Sequence, residues 1–257
     1  MPSAPFTLRS ADKEGQAMVK RADGNVALLI DADNARPQGL DPVLTALAEL
    51  GTVNIRRAYG NWRKQGLKGW VDQLHRFGIE PQQQFDLTKG KNATDMKLTI
   101  DAMDLLYRGR LDGLGIMSSD SDFMPLAMRV RQEGIPVYGF GSAAKTPEGF
   151  QGACTRFIDV DALIDADTDR ATPAAEGRAR KSIDPALIDL LSNAWKAARR
   201  DEQGFASLSE VGQIAGNRSS FDVRNYGYAR LSELIADIPN FVTDKAAGGS
   251  LRVKRVR

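Results

Sequence analysis

The 257-residue chain holds one histidine, His75, and one cysteine, Cys154. A single cysteine excludes an internal disulfide and fits a reducing compartment, so the expected location is cytoplasmic. The pair is too small for a Cys/His zinc site, which needs several such ligands. Ser-His-Asp or Cys-His catalysis would rest wholly on His75, and no nucleophile motif lies near it. Excess charge is missing too: 35 Lys+Arg face 33 Asp+Glu, a net +2. Any basic surface must therefore be local. No run approaches the roughly 18 apolar residues of a membrane span, and the first twenty residues lack a signal-peptide core. No membrane partner is expected. For hydrolytic chemistry, carboxylates and a hard metal ion remain.

With 42% hydrophobic residues, the chain can build a sizeable core. Residues 1–24 read as a flexible N-terminus. From 25 onward, short apolar runs alternate with helical patterns. Strands are expected at 25–30, 52–58, 79–84, 114–117, 135–140 and 155–159. Helices are expected at 42–50, 67–77, 93–108, 122–133 and 147–152, with Gly78, Gly109 and Gly134 as stops. Such alternation implies right-handed βαβ units: an α/β fold, a parallel sheet with helices on both faces. Ligands of such sheets sit beyond the carboxyl ends of the strands. Residues 165–182 have almost no large apolar side chains and read as a linker, across which few contacts are expected. Beyond it, Asp184-Pro185 opens a helix, Ser207-Leu-Ser-Glu210 reads as a capping box, a third helix covers 228–235, and a hairpin closes the chain. Three helices and a hairpin make a small winged-helix domain.

The first strand runs into Ile30-Asp-Ala-Asp-Asn34 and the fourth into Ser118-Ser-Asp-Ser-Asp-Phe123. In a doubly wound sheet these strands are commonly neighbours at the switch point, which would bring Asp31, Asp33 and Asn34 to face Asp120 and Asp122. Gathered carboxylates repel, and a divalent cation resolves that cost. On the following helix, Lys97, Asp101, Asp104 and Arg108 share a narrow stripe that reads as a solvated face. Asp95 lies about 160° from Lys97, among Leu98, Ala102 and Leu106. A carboxylate on an apolar face needs a partner, so Asp95 joins the candidate site.

Three motifs occur in order: IDADN at 30–34, KNATD at 91–95 with its helix, and SSDSDFMPL at 118–126. They resemble the NYN domain, a branch of the PIN-like nuclease superfamily, over residues 25–164. The resemblance implies a metal-dependent ribonuclease with Asp31, Asp95, Asp120 and Asp122 as the catalytic and metal-binding set for Mg²⁺ or Mn²⁺. Asn34, Ser118, Asp33 and Asp101 become supporting groups. Such a cation takes oxygen ligands, activates water and neutralises charge developing on phosphate.

Around the second strand, Arg56, Arg57 and Arg63 lie near Tyr59 and Trp62, and Lys89 and Lys91 precede the Asp95 helix. Cations interleaved with aromatics suit RNA, with single-stranded DNA the alternative. In the second domain, residues 183–257, FDVRNYGYARLSELIADIPNF followed by SLRVKRV resembles the OST-HTH (LOTUS) module found in RNA-binding proteins. It carries 11 Lys+Arg against 9 Asp+Glu, with Arg252, Lys254 and Arg255 grouped near its end as candidate RNA contacts. A winged helix also serves protein partners, and the fold alone does not choose. Two other functions compete: a non-catalytic RNA-binding regulator, and a haloacid dehalogenase-type phosphatase. The latter shares Asp31-Ala-Asp33, but Ala35 stands where that family expects Thr or Val.

Overall fold

The computed structural model describes residues 24–85, 92–171, 183–246 and 249–256. Its larger body is a six-stranded sheet in the order β3-β2-β1-β4-β5-β6, with every pairing parallel. The strands are β1 Asn25–Asp31, β2 Thr52–Gly60, β3 Glu80–Gln83, β4 Gly113–Met117, β5 Val137–Gly141 and β6 Arg156–Asp159. Between and after them lie α1 Leu40–Ala48, α2 Lys68–Phe77, α3 Ala93–Tyr107, α4 Met124–Gln132, α5 Glu148–Ala153 and α6 Val160–Ala171. The order reverses between β1 and β4, which places the switch point where the two acidic motifs end.

The alternation within β1 explains the layers. Val26, Leu28 and Ile30 point into one core with α1 and α2, while Ala27 and Leu29 point into the other with α3, α4 and α5. A strand buried on both faces reads as an unbroken apolar run, as NVALLI does. Gly78 ends α2 with a φ of 60°, a left-handed cap that only glycine adopts cheaply. α6 continues through 171, so residues 165–171 of the expected linker are helical; residues 1–23 and 172–182 lie outside the described residues.

The C-terminal body consists of α7 Pro185–Ala197, β7 Ala206–Ser207, α8 Leu208–Arg218, α9 Leu231–Ala236, β8 Phe241–Lys245 and β9 Leu251–Arg255. Its strands form a small antiparallel sheet, β7-β9-β8. Leu187, Leu191, Val211, Leu234, Ile235 and Val253 fill the core. Asp184 caps α7 as expected, accepting from the Leu187 amide at 2.7 Å. The capping box does not form: Ser207 pairs with the Ser209 hydroxyl, and Glu210 accepts from the Arg199 amide. The third helix starts only at Leu231, because Tyr228 turns into the core and donates its hydroxyl to Asp237.

The two bodies touch, against the expectation of few contacts. The β6 edge donates Phe157 N–H to the Ser220 carbonyl at 3.1 Å. The Asn225 side chain accepts from Asp159 N–H at 2.8 Å and donates to the Phe157 carbonyl at 2.7 Å. Arg224 pairs with Glu49 of the first body as well as with Asp222. One side-chain amide thus covers the outer strand as a further strand would.

Candidate active site at the carboxyl edge of the sheet

Asp31 is the last residue of β1 and is fully buried. Its Oδ2 accepts from Ser118 Oγ at 2.7 Å and from Asn34 Nδ2 at 2.9 Å. Burial nevertheless outweighs these bonds and pushes its pKa up. Ser118 Oγ also accepts from the Asp120 amide at 3.1 Å, so one hydroxyl ties the end of β1 to the loop after β4. Asp120 in turn caps the short turn Ser121–Phe123, accepting from Asp122 N–H at 2.9 Å. Asn92, just before α3, donates to Asp122 Oδ2 at 2.7 Å. Asp33 accepts from Thr94 Oγ1 at 3.3 Å and Lys64 Nζ at 3.2 Å.

These bonds draw the start of α3 against both strand ends. Asp95, half-buried in the first turn of α3, is pushed up to about 6 by burial and then by Asp31, Asp120, Asp122 and Asp33. Asp31, Asp120 and Asp122, the other three carboxylates expected to form the site, thus all act on Asp95. Asn92 and Thr94, inside the KNATD motif, and Lys64, from the basic cluster after the second strand, belong to the same network; their individual roles depend on which loops meet.

Asp101 corrects the helical-wheel reading. It is buried, 7% exposed, and not on a solvated face. Tyr59 Oη donates to it at 3.0 Å, Lys97 Nζ at 2.6 Å, and Arg57 Nη1 lies at 3.6 Å. The wheel assigned a face without knowing that β2 would bring a phenol and a guanidinium to it. With these partners Asp101 ties α3 to β2. Asp104 is exposed, as expected.

The expected RNA-contact residues are scattered in role. Arg56 donates to the carbonyls of Val53 and Phe77, both at 2.9 Å, tying the end of α2 to β2. Arg57 pairs with Glu80 and Asp101, and Tyr59 is fully buried. Trp62 packs on the core and donates to the Gln82 carbonyl. Arg63 is exposed and lies over the Phe85 ring at 4.9 Å, which leaves it as a cation-aromatic pair at the surface. Lys89 and Lys91 lie outside the described residues. In the C-terminal body, Arg252 is held by Asp244 and Asp201, and both it and Lys254 lie over Phe205. Arg255 is on the same strand, β9.

The donor set at the carboxyl edge is all oxygen, which fits a hard divalent cation and no softer metal. The mutual repulsion acting on Asp95 is what such a cation would relieve. Among the described residues no three carboxylates already converge into a ready cage. No helix among them is long and apolar enough to cross a membrane.

A six-stranded parallel sheet with acidic residues at its switch point is compatible with the nuclease-type fold of the PIN-like superfamily, and the family comparison shows that fold. The chain belongs to the NYN domain family, whose model matches residues 25–163, and an OST-HTH/LOTUS domain matches residues 181–253. An uncharacterised protein of Methanocaldococcus jannaschii is 24% identical over 148 residues; the match covers 56% of this chain and 57% of that protein's length. Among solved structures, a protein of unknown function from Vibrio parahaemolyticus aligns at 18% identity with a TM-score of 0.46, over 56% of this chain and 96% of that one. A carbohydrate transporter from Acidothermus cellulolyticus, solved with myo-inositol, aligns at 11% identity with a TM-score of 0.28, over 58% of this chain and 42% of that one.

Proposed function

We propose that this protein is a ribonuclease that hydrolyses RNA phosphodiester bonds with Mg²⁺ or Mn²⁺ held by Asp31, Asp95, Asp120 and Asp122. The observation that carries the reading is the gathering of these carboxylates at the switch point, with Asp95 raised to about 6 by burial and then by its acidic neighbours. Perturbed acids in a cleft are the usual mark of a working site. A bound divalent ion would supply a more acidic water and offset charge developing on the phosphate. The chain's own part is to fix the acids: Ser118 holds Asp31 and Asp120 in register, Asn34 orients Asp31, and Asn92 holds Asp122. The C-terminal winged helix would add RNA affinity through Lys254, Arg255 and the Phe205 face. Residues 25–164 and 183–257 serve as the two functional units.

The test is incubation of the full chain with single-stranded RNA and DNA, with and without Mn²⁺, beside the Asp120→Asn variant. The reading expects Mn²⁺-dependent RNA cleavage that Asp120→Asn abolishes. RNA binding with no cleavage under any metal would instead make the protein a non-catalytic RNA-binding regulator.

A further inference from the structure

A cavity of about 480 Å³ opens beside the carboxylates on the β5 side, and Asp33, Ser118 and Asp120 belong to its wall. Any chain held at the acidic cluster is therefore led into it. Its base is apolar, formed by the buried side chains of Met117, Phe140 and Val160. Its upper wall is polar and braced. Ser119 Oγ accepts from Ser142 N–H at 3.2 Å, and Ser142 Oγ donates to Asp161 Oδ2 at 2.6 Å. The other Asp161 oxygen takes Arg36 at 2.9 Å. Gly141 keeps this wall close to the next strand, since a Cβ there would meet the Ser118 carbonyl and Thr146 Oγ1 at 2.7 Å each. Lys145 stands exposed at the rim.

An apolar base under hydroxyls and a neutralised Arg36–Asp161 pair suits a flat, uncharged, hydrogen-bonding group. The rim lysine suits a phosphate. Both requirements meet in one nucleotide. We infer that the cavity is the subsite for a single unstacked nucleobase next to the scissile phosphate, with Lys145 on the adjoining phosphate. A base can enter such a cavity only after leaving its stack and its pair, which costs least in a single strand. The cavity thus selects single-stranded polynucleotide over duplex. This inference rests on the proposed nuclease site as the place where the chain is held.

The test measures binding of labelled single-stranded oligoribonucleotides to the full chain in EDTA, so that no cleavage is required. Each oligonucleotide carries one abasic residue, moved along the sequence. One position is expected to lose about tenfold in affinity, as a stacked base would, while the others change little. Lys145→Ala should weaken binding about fivefold, and Lys145→Arg should restore it. The Lys145→Ala loss should vanish when the linkage beside that position is a neutral methylphosphonate. Equal small losses at every abasic position, or a Lys145→Ala loss that the methylphosphonate leaves unchanged, would overturn the subsite. Cleavage with Mn²⁺ is scored separately. An intact abasic signature without cleavage rejects only the nuclease reading; cleavage without the signature rejects only the subsite.

Discussion

In the winged helix, Arg252 holds the Asp244 carboxyl below the usual carboxylate range, and Asp201 is lowered by the Phe205 amide and by the same arginine. At the carboxyl edge of the sheet, Asp31 and Asp95 move the opposite way, through burial and, for Asp95, through one another. The contrast recurs within α3, where Asp101 has Tyr59, Lys97 and Arg57, while Asp95 meets other acids. A carboxylate placed for folding finds its cation within the same module. A set of acids left to repel one another lowers stability, and a cation from outside would offset that repulsion.

The largest effect should come from removing one charge from that set. Asp31→Asn, Asp95→Asn and Asp120→Asn are each expected to reduce Mn²⁺-dependent RNA cleavage by on the order of 100-fold or more, with far-ultraviolet circular dichroism unchanged. Asp104→Asn, on the exposed face of the same helix, should stay within about twofold. Wild-type turnover in any of the first three variants at saturating metal would break the comparison at its centre.

A second contrast lies between the two edges of the sheet. β3 is a short outer strand, four residues long, whereas β6 is covered by Ser220 and Asn225. Truncation after 171 would bare the Phe157 and Asp159 backbone groups, and an uncovered strand edge invites self-pairing. The shortened chain is expected to self-associate in light scattering where the full chain does not. In the full chain, Asn225→Ala leaves those groups short of partners and should cost about 1–3 kcal/mol in thermal unfolding. An unchanged midpoint for Asn225→Ala would mean that the bodies do not dock in solution.

How much of this was legible beforehand follows from the range of each interaction. The placement of Asp31, Asp33, Asp120 and Asp122 at the carboxyl edge was readable because strand ends and their following turns are written locally, and because the switch point of a parallel sheet is a topological rule. The half-burial of Asp95 followed from its facing on α3. Asp101 was misread, since the same wheel could not supply Tyr59 and Arg57 from a strand some forty residues away. Arg56 and Arg57 looked like surface cations for a similar reason: their partners, the Phe77 carbonyl and Glu80, come from the end of the next helix and from the strand after it. The Asn225 contact with β6 had no local signature at all. Its two hydrogen bonds join residues 66 and 68 positions apart.

The two acids of α3 allow the comparison to be measured as stability. Asp101→Asn removes the charge that Lys97 and Arg57 face, and should destabilise the fold by about 1–3 kcal/mol. Asp95→Asn should do the reverse, in a pH-dependent way. The folded Asp95 carboxyl titrates at about 6, against an ordinary value of 3.8. Below 3.8 it is protonated in both folded and unfolded chains, so it exerts no differential effect. As pH rises from 3.8 toward 6, the unfolded chain releases its proton first, and stability falls. Above 6 the penalty is complete. Because the side chain is only half-buried, solvent screening reduces that penalty to about 1 kcal/mol, or roughly 2–4 °C in Tm. Melting curves of the metal-free wild type and Asp95→Asn should therefore coincide at about pH 3.5 and separate by that amount at about pH 7.5, with the variant the more stable. A difference that stays constant with pH, or a variant less stable at the higher pH, would show that Asp95 has a compensating cation and belongs with Asp101 among the acids placed for folding.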